Sequence, residues 1–215
     1  MCGRYELKAT ARELVKHFLH LRLGSSDMPR NDEIRPTDSV LLLTGNGDGY
    51  CGSSAKWGLV GAFLDREPRS PLINLRSEGL EDMPFYGKLL KRNRCLIPAT
   101  AFFEWQAVAG GSKQKVRISD AKGKPLMFAG IFDQHRLAGK TCAILTMAAS
   151  KALAATHERM PVILSHEESV FWLEEHAEFP SDAYSEIVQP ASRRSLVVEA
   201  VVEPKVSPQL SFEFA

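Results

Sequence analysis

The sequence predicts an α+β fold: one β-rich domain over residues 1–215 with peripheral helices. Three observations carry this. Short runs of strand-forming residues recur along the chain, separated by turn signals rich in Gly, Asp and Asn. Only three segments show helical periodicity. No repeat, low-complexity stretch or long linker divides the 215 residues, a length that suits one substantial core.

The elements follow in order. TARELVKHFLHL (10–21) predicts a helix, with Thr10 and Glu13 as a capping box and Leu14, Phe18 and Leu21 on one apolar stripe. SVLLLT (39–44) predicts a buried strand, and GNGDG (45–49) a hairpin turn. No helix pattern follows that turn, which a phosphate-cradling loop would need. FYGKLLKRN (85–93) predicts a short helix. CLIPA (95–99), AFFEWQA (101–107), KVRIS (115–119), PLMFAGIF (125–132) and TCAILTM (141–147) predict strands, with turns at 110–114 and 120–124. HEESVFWLEE (166–175) predicts a helix capped by Ser165 and Glu168, and SLVVEAVVE (195–203) a late strand.

Composition narrows the function classes. Lys+Arg 27 against Asp+Glu 26 gives a net charge of +1. Bulk charge therefore does not mark a nucleic-acid binder, although a local basic groove is enough for one. No apolar run reaches the roughly 18 residues of a membrane span, and no basic-then-apolar leader is visible. The expected location is the cytoplasm, with monomer the default state. Cys2, Cys51, Cys95 and Cys142 form no CxxC pair and have no metal-ligand spacing to histidine. No metal, cofactor or disulfide is expected. Cys95 and Cys142 lie in apolar strand-like runs and read as small buried hydrophobes, and Cys51 reads as structural too. Cys2 is the exception, because a thiol at a frayed terminus is an oxidation hazard.

Three stretches offer chemistry. In FFEW (102–105), a strand would put Phe102 and Glu104 on one face and Phe103 and Trp105 on the other. If Glu104 is buried, its pKa rises into the range of a general acid or base. If the strand is at an edge, Glu104 faces water, and the pattern alone divides the two evenly. In THERMPVIL (156–164), His157 precedes a strand as a proton shuttle or as an ordinary surface histidine. In PLINLRSE (71–78), Asn74, Arg76 and Glu78 alternate, so an extended segment sets them on one face. Lys88, Lys91, Arg92 and Arg94, with Arg4, Arg76 and Arg159, would line an electropositive groove or else form a solvated helix face.

MCGRY, WGLV (57–60), INLRSE (73–78), RCLIPATAFFEW (94–105) and THERMPVIL occur in that order. Together they resemble the SOS-response-associated peptidase (SRAP) family over residues 1 to about 175. The resemblance implies an SRAP-type domain that binds single-stranded DNA and captures abasic sites covalently. In such a protein Met1 is removed, and Cys2 forms a thiazolidine with the ring-opened aldehyde. The chemistry is sound for these residue types. An N-terminal cysteine carries an amine that forms an imine and a thiol that closes the ring. Reference pKa values of about 7.7–8.0 and 8.5 make both groups available near neutral pH.

The resemblance further implies that Asn74 orients the Cys2 amine, Glu104 is the general acid/base and His157 carries protons. Arg4, Arg76, Thr146 and Arg159 match phosphate-contacting positions, and Pro36 matches a proline near the DNA path. Phe63 and Leu64 stand where the family often has a tryptophan pair that wedges against bases, which implies weaker stacking. Glu33 stands where an asparagine is common, Arg35 replaces a small residue, and Thr100 and Ala101 replace Asp and Gly. Residues 203–215 echo the family only loosely. Two alternatives stand beside this reading: a self-processing cysteine peptidase using Cys2, Glu104 and His157, and a non-covalent single-stranded DNA-binding module.

Overall fold

The structure, a computed structural model, describes residues 2–16, 18, 21–24, 31–47, 49–174, 179–189 and 195–202. The predicted C-terminal departure at 203–215 lies outside the described residues.

The chain begins with β1 (Arg4–Leu7), α1 (Ala11–Val15), β2 (Leu21–Arg22) and β3 (Asn31–Ile34). The hairpin of β4 (Ser39–Gly45) and β5 (Tyr50–Trp57) follows, then β6 (Asn74–Arg76) and α2 (Pro84–Arg92). Next come β7 (Arg94–Ala99), β8 (Ala101–Ala107), β9 (Lys113–Asp120), β10 (Leu126–His135) and β11 (Gly139–Ala148). Short strands β12 (Arg159–Pro161) and β13 (Ile163–Leu164) precede α3 (His166–Leu173), α4 (Ser181–Ile187) and β14 (Leu196–Ala200). The β-rich α+β prediction matches this architecture.

Two sheets form. One runs β14-β9-β8-β1-β3; the larger runs β12-β11-β10-β7-β4-β5-β2, with β6 on β11 and β13 on β10. The chain passes from one sheet to the other at Thr100, between β7 and β8. The inner faces share one core. Tyr5 and Phe102 of the smaller sheet meet Trp57 and Phe128 of the larger edge-to-face, with centroids 5.2 to 6.0 Å apart. Edge-to-face is the favoured aromatic geometry, because the positive ring edge meets a negative face.

The helices are peripheral. α2 turns Leu89 and Leu90 inward. Its Gly87 is required by space, since a Cβ there would lie 2.4 Å from the Glu81 carbonyl oxygen. α3 opens on the predicted Ser165–Glu168 capping box and buries Trp172, whose indole N–H donates to the Cys95 carbonyl at 3.0 Å. Among the described residues no helix is long and apolar enough to cross a membrane.

The first helix differs from its prediction. The Thr10–Glu13 capping box forms, but the helix ends at Val15. Phe18 and Leu21 are buried as predicted, yet Leu21–Arg22 instead pairs in parallel with β5. A stripe of three apolar residues is compatible with both outcomes. Backbone pairing to a strand edge satisfies the polar groups that a longer helix would have used.

Candidate active site

The site gathers at one end of β1. β1 lies between β3 and β8, with Arg4 opposite Phe103 and Tyr5 opposite Phe102. This antiparallel register runs the N-terminal end of β1 toward Glu104. Cys2 precedes β1 and is fully buried. Its thiol donates to the Arg4 carbonyl at 3.6 Å. Burial pushes the thiol well above its ordinary pKa, and the nearby Glu104 carboxylate pushes it the same way.

Asn74 arrives from the other sheet. β6 pairs in parallel with β11, Asn74 opposite Ile144 and Arg76 opposite Thr146. From there the Asn74 amide Nδ2 donates to the Cys2 carbonyl at 2.8 Å. Its Oδ1 is buried and has no hydrogen-bond partner among the described residues. The contact is thus to the carbonyl of Cys2, while the acceptor end of the same amide remains unused.

Glu104 is 4% exposed in a strand flanked by β1 and β9. The buried alternative therefore holds and the edge-strand alternative does not. Burial raises its pKa, while the positive charges near it, His157 among them, pull the other way and lose. His157 is half-buried just before β12, and its Nδ1 accepts from the Arg159 backbone N–H at 2.9 Å. With Nδ1 accepting, the ring N–H lies on Nε2. Cys2, Glu104 and His157 thus share one electrostatic neighbourhood.

The remaining predicted positions divide. Arg76 is exposed and has no partner among the described residues. Arg4 is engaged: its Nη1 donates to Glu33 at 2.8 Å, and its guanidinium lies 5.1 Å from the Trp105 ring centre. Arg159 is 8% exposed and bidentate to Glu78 at 2.6 and 2.8 Å. It also donates to the Thr146 carbonyl at 2.6 Å. Thr146 is fully buried, its hydroxyl donating to the Leu75 carbonyl at 3.2 Å. Its evident contribution is to hold β6 and Arg159 in place. Pro36 lies half-buried in the turn after β3.

Phe63 and Leu64 stand on a separate loop that leads into β6 through the Leu59–Leu72 bridge. Phe63 is 70% exposed, its ring edge-to-face with Phe85 at 4.8 Å. Fixed groups anchor this loop. The Ala62 N–H donates to Asp133 at 2.6 Å, and the fully buried His135 ring meets the Leu64 carbonyl at 2.9 Å. His135 ends β10 and holds the loop. Nothing in its sequence neighbours signals that partner, which lies 71 residues away.

The predicted basic cluster dissolves at Arg94. Its guanidinium is buried and donates to four carbonyls, of Leu90, Lys91, Trp172 and Glu174, at 2.6 to 2.8 Å. It lies 4.3 Å from the Phe179 ring centre, and burial brings its pKa down to about 10. Arg94 is therefore an internal tie and takes no part in a groove. Lys88, Lys91 and Arg92 remain exposed on α2. Sequence reasoning also missed the carboxylates that answer the arginines. Glu78 was legible as a same-face neighbour of Arg76, whereas Glu33 belongs to a distant strand. Among the described residues no group of three or more His, Cys, Asp or Glu is arranged to hold a metal ion.

Comparison with known proteins identifies the family and the fold. A model of the SOS response associated peptidase (SRAP) family matches residues 1–207. The chain is 29% identical over 179 residues to the abasic site processing protein YobE of Bacillus subtilis, covering 80% of this chain and 82% of that one. It is 28% identical over 182 residues to the abasic site processing protein YedK of Escherichia coli, covering 80% and 79%. Against the chicken (Gallus gallus) protein HMCES, also named an abasic site processing protein, identity is 32% over 165 residues, but only 48% of that longer protein is covered. A crystal structure of a Bacteroides thetaiotaomicron protein shares the fold with a TM-score of 0.80 at 18% identity, covering 94% of this chain and 92% of that one. The chain belongs to the SOS response associated peptidase (SRAP) family.

Proposed function

We propose that this protein processes abasic sites in single-stranded DNA by covalent capture through Cys2. One observation carries the reading. The second residue of the chain is fully buried, with an amide from the opposite sheet on its carbonyl at 2.8 Å and a buried carboxylate acting on its thiol. Ordering a terminus in this way costs conformational entropy. A reactive role for the first residues repays that ordering. The relatives' names support the same substrate.

The chemistry proceeds in balanced steps. Removal of Met1 converts the Cys2 amide nitrogen into an amine. The buried Asn74 Oδ1 is an acceptor without a partner among the described residues, and that amine is a donor of the kind it needs. The amine attacks the aldehyde carbon, and loss of water gives an imine. The S–H then adds across C=N: sulfur bonds to carbon, the proton passes to nitrogen, and the five-membered ring closes. Glu104, whose pKa burial raises, protonates the departing oxygen, recovers a proton from nitrogen as the imine forms, and then relays the thiol proton to nitrogen. His157, with its proton on Nε2, serves the sugar oxygen. Arg76 is free to meet a phosphate, and the exposed Phe63 is free to lie against a base.

The test is a denaturing gel after incubation with a single-stranded oligonucleotide carrying one abasic site. A shifted band is expected, and Cys2→Ser removes it. Absence of a Cys2-dependent band overturns the reading. Intact mass should show a chain beginning at Cys2, since a retained Met1 blocks the amine.

A further inference from the structure

The outer face of the smaller sheet carries a cluster that the capture chemistry does not use. Glu33 on β3 accepts from three cations on three segments. Arg4 Nη1 of β1 reaches it at 2.8 Å, Arg35 through Nε at 3.2 Å and Nη2 at 3.0 Å, and Lys115 Nζ from β9 closes the group. Aromatic rings steer two of them. Arg4 lies over Trp105, and the Lys115 ammonium lies 4.6 Å from the Phe103 ring centre. One carboxylate therefore answers three positive charges, two residues from Cys2.

The Glu33–Lys115 pair is sheltered, while the Arg4 and Arg35 side chains are 36% and 62% exposed. The side chains of Glu33 and Lys115 are 21% and 15% exposed, so solvent and salt screen them less than a surface pair. Glu33 stays ionised there: burial pushes its pKa up, but Lys115, Arg35 and Arg4 together outweigh that and lower it. The same arrangement of donors suits a phosphodiester, whose two non-bridging oxygens share one negative charge and accept from several cations at once. Arg4 belongs to both the cluster and the head of β1, two residues after Cys2.

We propose that Arg4, Arg35 and Lys115 form a phosphodiester site beside Cys2, and that Glu33 is its internal occupant, displaced when a DNA strand enters. This rests on the DNA-capture reading for its ligand. Glu33 then sets the affinity threshold of the site. In the free protein it keeps three cations in place and cancels part of their field. On exchange, the released carboxylate takes up a counterion, which offsets part of the counterion release that normally drives such binding.

The experiment uses the full chain and a fluorescein-labelled single-stranded oligonucleotide with all bases intact, so covalent capture does not enter. Anisotropy titrations at several salt concentrations give the affinity and its salt slope. Glu33→Gln is expected to bind about three- to tenfold tighter near ~0.1 M salt, with a slope steeper by about 0.7 for the counterion no longer taken up. Lys115→Gln, which leaves Glu33 with Arg4 and Arg35, is expected to weaken binding about threefold or more and to flatten the slope. A purely structural Glu33 would not move the slope. Glu33→Gln binding no tighter with an unchanged slope overturns the proposal. If Glu33→Gln does not fold, Lys115→Gln decides alone, and unchanged affinity and slope there overturn it. The abasic-site gel with the wild-type chain is read separately. A missing band with these binding shifts intact counts against covalent capture and not against the site.

Discussion

At single residues, burial acts in one direction on both ends of the proposed chemistry. It pushes the Cys2 thiol and the Glu104 carboxyl toward their protonated forms. For Glu104 the sign has a consequence for stability. A carboxyl whose folded pKa is raised favours the native state at low pH, and that contribution is lost as pH rises through the folded value. Near and above neutral pH a buried charge then remains as a cost. Replacing Glu104 with Gln removes the charge and keeps the shape. Glu104→Gln should slow crosslinking by roughly 10²- to 10⁴-fold while raising Tm at pH 8 by about 2–4 °C, the shift expected of ~1 kcal/mol in a chain this size. Thermal melts at pH 5 and pH 8, beside single-turnover crosslinking, check both halves. A variant that loses stability at pH 8 would refute the placement of the charge. Phe63 gives the converse case. It is 70% exposed, so Phe63→Ala should leave Tm nearly unchanged while weakening single-strand binding, by at most about 1–3 kcal/mol if one base stacks there.

Among elements, the lesson concerns what a strand's neighbours decide. The strand at AFFEWQA was legible from its residues, but the alternation could not say whether Glu104 faces water. That depended on β8 lying between β1 and β9, which pair with it from 97 residues upstream and from the next hairpin. The candidate site was legible mainly through its spaced motifs. Asn74 of β6 and Glu104 of β8 reach Cys2, and His157 from the loop before β12 reaches Glu104, only through the fold. Arg94 marks the opposite limit. A run of Lys and Arg at the end of a helix reads as a basic face, yet the last member turns inward to cap carbonyls of α2 and of the segment ending α3. Removing its head group would leave four carbonyls unanswered, at about 1–3 kcal/mol for each that stays dry. Arg94→Met should therefore lower stability by roughly 3–5 kcal/mol, the usual scale for breaking a buried charged network. Urea unfolding measures this, and the DNA salt slope should not change, because Arg94 lies outside the proposed DNA path.

Across the whole molecule, Glu6 joins the two sheets at their common corner. Its side chain is 2% exposed on β1. It accepts from Arg117 on β9 at 2.6 and 3.1 Å and from the Thr100 hydroxyl at 3.1 Å, and Lys8 lies 3.3 Å away. Thr100 is the residue at which the chain crosses from the larger sheet to the smaller, and its N–H also donates to the Glu6 carbonyl at 2.8 Å. Burial raises the pKa of Glu6, but the hydrogen bonds and charge of Arg117, with Lys8, outweigh it, so the net shift is downward. A lowered folded pKa contributes stability that is present above the unfolded carboxylate value of about 4.3 and lost as pH falls through the folded value. The protein should thus become steadily easier to unfold below about pH 4, with Glu6 a principal cause. Glu6→Gln retains the hydroxyl contact but removes the charge. It should cost roughly 1–2 kcal/mol at pH 7, discounted because Arg117 is about one-third exposed. At pH 3, where Glu6 in the parent approaches its protonated form, the gap between parent and variant should close. Urea unfolding at pH 7, 5, 4 and 3 gives the comparison. Curves that remain parallel across that range would show that the acid sensitivity lies elsewhere, with Glu33 and Glu78, also held below the ordinary carboxylate range by their arginine and lysine partners, as the next groups to remove.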